Sequence, residues 1–176
     1  KSRANGVSTH YNYTLTGEIA SIINSNAETE LSRFIYTYNE LGDIIEIQTT
    51  KGIWNYEYDS KRQLVKAEFT ATVQGIQSSL ITYSYDKAGN RTEINIDGIP
   101  QKYETNRLNQ YTQISGEEIS YDADGNQLTG IINNETLSYS YDAQNRLTGI
   151  SGSLTDIKYE YDDLGNLSAM EVNGER

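Results

Sequence analysis

Acidic residues recur beside tyrosine throughout this sequence, a pairing that could serve three kinds of chemistry. Two carboxylates in unlike environments can cleave a glycosidic bond, one kept protonated and the other ionised. Here Asp59, Asp86, Asp122, Asp142 and Asp162 all stand in equivalent local settings, so no pair is set apart for that task. A nucleophilic triad would need the sole histidine, His10, which lies near a terminus of the kind that frays. Metal binding is the second possibility, because "DADGNQLTG", residues 122–130, has the look of a calcium loop. Gly125 is its fourth residue and Asn133 would be its twelfth, whereas the EF-hand loop needs glycine sixth and a bidentate Glu twelfth. The sequence therefore leads us to expect no catalytic residue, no metal and no cofactor.

The third chemistry is stacking. Sugars present apolar C–H faces to aromatic rings while Asp, Asn and Glu bond their hydroxyls. Trp54, the only tryptophan, stands with Tyr56 and Tyr58 as the candidate glycan-binding set. The plainer reading makes Trp54 a filler beside Ile53 and the tyrosines a buried lining. Choline-binding modules also use aromatic hairpin repeats, but they depend on repeated tryptophan, and one does not suffice.

Composition narrows the partners. The net charge of -11, from 14 Lys plus Arg against 25 Asp plus Glu, repels phosphate backbones and anionic bilayers, whose affinity rests on cationic clusters. Neither a nucleic-acid partner nor a membrane span is expected, since no apolar run approaches the ~20 residues a spanning helix needs. Cysteine is absent, which removes disulfides and thiolate sites together. The chain starts without Met and ends on "VNGER", as if entering another turn, so it reads as one domain, residues 1–176, taken from a longer protein.

The elements that must position these residues follow from a repeat. Let the acid of "YSYDKAGN" be position zero. Eight copies then fall in frame, with zero positions at Thr14, Asn39, Asp59, Asp86, Asn106, Asp122, Asp142 and Asp162, and four of the seven spacings equal 20. Fourteen of the 15 tyrosines occupy positions minus three or minus one, among them Tyr83 and Tyr85, Tyr121, Tyr139 and Tyr141, and Tyr159 and Tyr161. Position plus three holds Gly17, Gly42, Gly89, Gly125 and Gly165, with Asn109 and Asn145 in two further copies and Arg62 as the exception. Asp or Asn opening a four-residue turn and a residue tolerant of positive φ closing it predict a type I turn with a bulge. Asn90 follows Gly89 in the same turn. The sequons at Asn12, Asn90, Asn134 and Asn166 read as by-products of this composition.

Side chains alternate across a strand, so the two tyrosines of each copy share a face and the residue between them faces the other way. That intervening residue is polar in all eight copies: Asn12, Thr37, Glu57, Ser84, Glu104, Ser120, Ser140 and Glu160. A second turn signal lies midway between copies, at 51–52, 74–75, 97–98, 115–116, 133–134 and 151–153. "NAETELSRF", residues 26–34, reads as part of a long hairpin rather than as helix. The prediction is an all-β protein: some 16 strands in one antiparallel meander of tandem ~20-residue hairpins, long enough to twist and curl into a spiral sheet.

The motifs "YTYNELGDI", "YEYDSKRQL", "YSYDKAGNR", "YDADGNQL", "YSYDAQNRL" and "YEYDDLGNL", with looser copies "YNYTLTGEI" and "YETNRLNQY", resemble the Rhs or YD-repeat proteins, teneurins included. The resemblance implies a spiralling β-hairpin strip. In full-length members that strip builds a hollow shell around a C-terminal toxin or effector, or an extracellular adhesion barrel, and it has been credited with carbohydrate binding. It also implies a secreted or cell-surface protein, bacterial in origin, without catalysis of its own. The cap motif that precedes a cleaved toxin, and the toxin itself, are not in this sequence. A strip with exposed edge strands is further expected to associate end to end.

Overall fold

The computed structural model describes residues 6–27, 29–133 and 135–176. Asn134, part of one predicted turn and of one sequon, lies outside them. Every element among the described residues is a strand, and every pairing is antiparallel. The chain divides into two compact units, Lys1–Gln101 and Lys102–Arg176.

In the first unit β1 (Val7–Tyr13), β2 (Ile19–Asn26), β3 (Thr29–Tyr38), β4 (Ile44–Thr49), β5 (Gly52–Tyr58), β6 (Leu64–Ala71), β7 (Ser79–Tyr85) and β8 (Arg91–Ile96) pair in chain order. β9 (Ile99–Thr105) begins at the boundary. In the second unit it pairs with β10 (Tyr111–Ile114), which pairs with β11 (Glu117–Glu118). A separate five-stranded sheet holds β12 (Thr129–Ile132), β13 (Glu135–Tyr141), β14 (Leu147–Ser151), β15 (Asp156–Tyr161) and β16 (Leu167–Val172). The count of strands and the meander match the sequence reading, and the sheets are open rather than closed into a barrel. The single continuous sheet does not hold. Between β11 and β12 only an isolated bridge, Tyr121↔Gln127, continues the ladder. The spacing of 16 residues between Asn106 and Asp122 is the shortest in the chain and leaves β11 two residues long.

Register is uniform. Within each repeat, minus one pairs with plus five, as in Tyr58↔Leu64 and Tyr161↔Leu167, and a bulge follows at plus six. Between neighbouring repeats plus seven pairs with minus four: Ser21↔Ile35, Glu46↔Asn55, Lys66↔Thr82, Gln113↔Glu118, Thr129↔Ser138 and Gly149↔Lys158. A one-residue slip would swap the two faces, so the alternation itself fixes this register. All eight residues at minus two are exposed, as expected of a wet face. The opposite face is not a sealed core. Among the described residues only Ala67, Tyr103, Ile119 and Leu137 are buried hydrophobics.

Two glycines of the predicted midway turns serve a different purpose. Gly52 has no left-handed φ and opens β5, while the Thr49 hydroxyl accepts from the amides of Lys51 and Gly52 to close the turn before it. A Cβ on Gly52 would sit 2.6 Å from the Phe69 ring and against the Thr70 carbonyl. A Cβ on Gly152 would meet Leu137 at 2.6 Å. Both positions are glycine because something lies across them. At Asp97–Gly98, Ser115–Gly116 and Asn173–Gly174, by contrast, both residues have positive φ, the type I′ hairpin turn.

Candidate functional site

The repeated turn is built the same way eight times. The amide at zero donates to the carbonyl at plus four, and the amide at plus three donates to the carbonyl at zero, as in Asp86 to Asn90 (2.9 Å) and Gly89 to Asp86 (3.2 Å). The side chain at zero then accepts from the amides beyond it. Asp122 Oδ1 receives Asp124 (3.0 Å) and Asn126 (2.8 Å), Asp142 Oδ1 receives Gln144 (2.9 Å) and Arg146 (3.0 Å), and Asp162 Oδ1 receives Leu164 (3.0 Å) and Asn166 (2.8 Å). The second oxygen takes the side chain at plus four: Asn90 on Asp86, Asn126 on Asp122, Asn166 on Asp162, and the Arg146 guanidinium on Asp142. The carboxyls of Asp86, Asp122 and Asp162 are held below the usual range by those Asn side chains, and that of Asp142 by the Arg146 amide and guanidinium. Such acids are held in the ionised form and tied to their own turns.

The predicted plus-three positions, Gly89, Gly125 and Gly165, all have positive φ, and so do Asn109, Asn145 and the exception, Arg62 at φ 63. Arg62 offsets that conformation by reaching back to the preceding turn, where its Nε and Nη2 bond Asp43 Oδ1 and its Nη2 bonds the Leu41 carbonyl. That guanidinium holds the Asp43 carboxyl below its ordinary value.

The tyrosines at minus one carry a contact that sequence reasoning missed. Five of the seven donate the hydroxyl to the main-chain carbonyl at plus five of the preceding repeat: Tyr38 to Ile19, Tyr58 to Ile44 and Tyr85 to Leu64 at 2.8 Å, Tyr121 to Tyr111 at 3.0 Å, and Tyr161 to Leu147 at 2.9 Å. Tyr141 has no such bond among the described residues. The signal that could have found the latch was the constancy of tyrosine at minus one, where phenylalanine would bury as much area without a donor. The minus-three tyrosines pack instead. Tyr139 lies over Gly130, where a Cβ would come within 2.9 Å of its ring, and Tyr83 and Tyr159 are half-buried on the same face.

The three candidate glycan-binding residues divide. Trp54 and Tyr56 stack nearly parallel, 6.1 Å apart at 8°, while Trp54 also meets Phe69 at 5.0 Å. Tyr58 is occupied by its latch, and burial pushes the phenols of Tyr56 and Tyr58 up. Trp54, Phe69 and Phe34 line one open depression of about 460 Å³ with Arg33, Thr49 and Lys51. The chain has one Trp and two Phe, and all three meet there. Among the described residues no cluster of three or more His, Asp or Glu is placed to hold a metal ion, and no helix is long and apolar enough to cross a membrane.

This tandem hairpin array, locked by turn acids and tyrosine latches, defines a class of β-repeat proteins. A family model described as Teneurin YD-shell matches residues 53–176, and the chain belongs to that YD-shell family. It is 32% identical over 124 residues to the tRNA nuclease WapA of Bacillus subtilis (strain 168), and equally to the tRNA3(Ser)-specific nuclease WapA of Bacillus spizizenii; the matches cover 66% of this chain and 5% of each relative. The chain thus spans a small part of the length of the curated relatives it matches. Among solved structures, TcdB2-TccC3 without its hypervariable C-terminal region superposes with a TM-score of 0.66 at 18% identity, covering 98% of this chain and 11% of that one, which shows a shared fold.

Proposed function

We propose that the chain is a non-catalytic wall segment of a β-shell in a secreted or cell-surface bacterial protein, the shell enclosing a toxin or effector or serving adhesion. One observation carries this reading: the repeat's polar groups are spent on the wall itself. Tyrosine hydroxyls bind neighbouring repeats, and the carboxylates bind their own turns. On this reading the tRNA cleavage named for the WapA proteins resides outside the matched residues. The test is to incubate the purified chain with total tRNA, with WapA as positive control. Intact tRNA is expected; cleavage by the chain would overturn the assignment.

A second reading, carbohydrate binding, is favoured by the gathering of the only Trp and both Phe beside Arg33 and Lys51. A glycan array with the wild-type chain and a Trp54→Ala variant, its fold checked by circular dichroism, decides it. Binding that disappears in the folded variant assigns the depression to sugars. Silence across the array leaves the wall reading alone.

A further inference from the structure

One tyrosine of the fifteen stands outside the repeat frame. Tyr111 occupies plus five of the fifth copy, where no other copy has an aromatic residue, and the same copy is the one with Thr105 in place of tyrosine at minus one. The two departures meet in space. Tyr111 lies directly opposite Thr105 in the ladder, so the ring missing from β9 returns to the same face from β10. Its neighbour there is Tyr103, one diagonal step across the strands, a distance that aromatic side chains span. The two ring centroids are 5.2 Å apart and the rings are tilted by 54°. Tyr36 and Tyr38, a pair on a single strand, stand 6.5 Å apart at 28°, face against face. Both rings of the Tyr103–Tyr111 pair belong to the second unit. Tyr103 is buried and Tyr111 half-buried, and the Tyr121 hydroxyl holds the Tyr111 carbonyl at 3.0 Å, which fixes the strand that carries the second ring. This is also where the ladder is thinnest, since β10 has four residues, β11 has two, and beyond them a single bridge continues the pairing.

We propose that Tyr103 and Tyr111 form an oxidative cross-linking site, coupled into a dityrosine by a one-electron oxidant of the haem-peroxidase class that uses hydrogen peroxide. Each phenol gives up one electron and one proton. The radicals carry unpaired density on the ring carbons beside the oxygen, and a new carbon–carbon bond forms between one such carbon of each ring. The hydrogens on the joined carbons then pass to the two oxygens as the rings regain aromaticity. One hydrogen peroxide takes up the two electrons and two protons and leaves as two waters, so the exchange balances. Rings joined in this way are twisted rather than stacked, as this pair already is, and the approach still required is shorter than a carbon–carbon bond. The bond staples β9 to β10 beside the weakest stretch of the ladder, a place where main-chain pairing gives the least support. Nothing in the chemistry depends on what the wall encloses.

Trypsin isolates the site, because cleavage after Lys102 and Arg107 releases Tyr103 as the sole tyrosine of the peptide YETNR. The experiment treats the purified chain at low concentration with haem peroxidase and hydrogen peroxide, then digests the monomer band of a denaturing gel. Taking the monomer sets aside coupling between molecules through the exposed Tyr11 and Tyr13. The expected product is YETNR joined to residues 108–146, at a mass two hydrogens below the sum of the two peptides. In Tyr111→Phe, with its fold verified by circular dichroism, the product is expected to be lost and YETNR to run free. In Tyr139→Phe, which changes the same peptide away from the pair, it is expected to persist. Oxidation of the wild type in urea, where the rings are no longer held together, is expected to lower the yield roughly ten-fold. Free YETNR from the oxidised wild type, or a joined peptide of equal yield in Tyr111→Phe or in urea, overturns the proposal. The staple has a readout of its own. Oxidised wild type is expected to unfold at a higher urea concentration than oxidised Tyr111→Phe, because a cross-link restricts the unfolded chain, and equal midpoints overturn the stapling role.

Discussion

The two ends of each hairpin behave differently. At the YD end all eight turns share one set of main-chain bonds, and in six of them the side chains at zero and plus four pair as Asp–Asn, Asp–Arg, Asn–Asp or Asn–Gln. At the opposite end no two solutions need agree. Asp97–Gly98 makes a type I′ turn, Thr49 caps the bend before Gly52, and Glu135 gathers the amides of Leu154 and Thr155. The uniform end carries the contacts between repeats, so it cannot vary singly. The opposite end also reaches neighbouring hairpins, but through a different contact each time, such as Glu135 to Leu154 and Thr155 or Gly52 against Phe69, and that variety is where the chain places Phe34, Trp54 and Phe69.

Substitutions can break or sharpen this contrast. The largest effect is expected at the variable end, for Gly52→Ala, because the new Cβ meets both the Phe69 ring and a main-chain oxygen. Such overpacking costs about 1–3 kcal/mol, read as a lower midpoint in urea unfolding with an unchanged slope. At the uniform end, Tyr58→Phe deletes one hydroxyl and leaves the Ile44 carbonyl without its donor, a loss of about 1 kcal/mol. The same change at Tyr141, which makes no latch among the described residues, should stay within about 0.5 kcal/mol. Equal losses at the two tyrosines would mean that the hydroxyl bond is not what joins the repeats.

Arg62→Gly is the smallest and most discriminating change. It relieves a positive φ but removes the ion pair between the exposed Arg62 guanidinium and the part-buried Asp43 carboxylate, two opposed effects. Little net change in melting temperature is expected at low salt. At about 1 M salt the ion pair is screened, and the variant should become the more stable of the two. A melting temperature that stays below wild type at both salt concentrations would contradict this account of why arginine is tolerated there.

Much of the fold was legible in the sequence because its determinants are local. Alternation over "YSYD" assigns faces, and Asp86 with Gly89 writes its own turn within four residues. The remainder depends on partners the sequence does not place side by side. The hydroxyl of Tyr58 ends on a carbonyl fourteen residues away, and a carbonyl has no residue type to recognise. Gly52 looked like a turn glycine because its true reason, the ring of Phe69, sits on another strand. The candidate site was legible in part for the same reason. Trp54 stood out by its rarity, but only the strand register brings Phe34 and Phe69 beside it. The break between β11 and β12 was visible as a short spacing and went unread as a weak ladder.

The latch has a consequence for how such a chain can change over generations. Its acceptor is a main-chain oxygen, supplied alike by Ile19, Ile44, Leu64, Tyr111 and Leu147. A gene that duplicates or loses one unit of some twenty codons therefore delivers a working neighbour at once, with no matching substitution required in the unit beside it. The number of repeats can then change in whole steps while the residue at plus five changes freely, as Ile, Leu and Tyr do here.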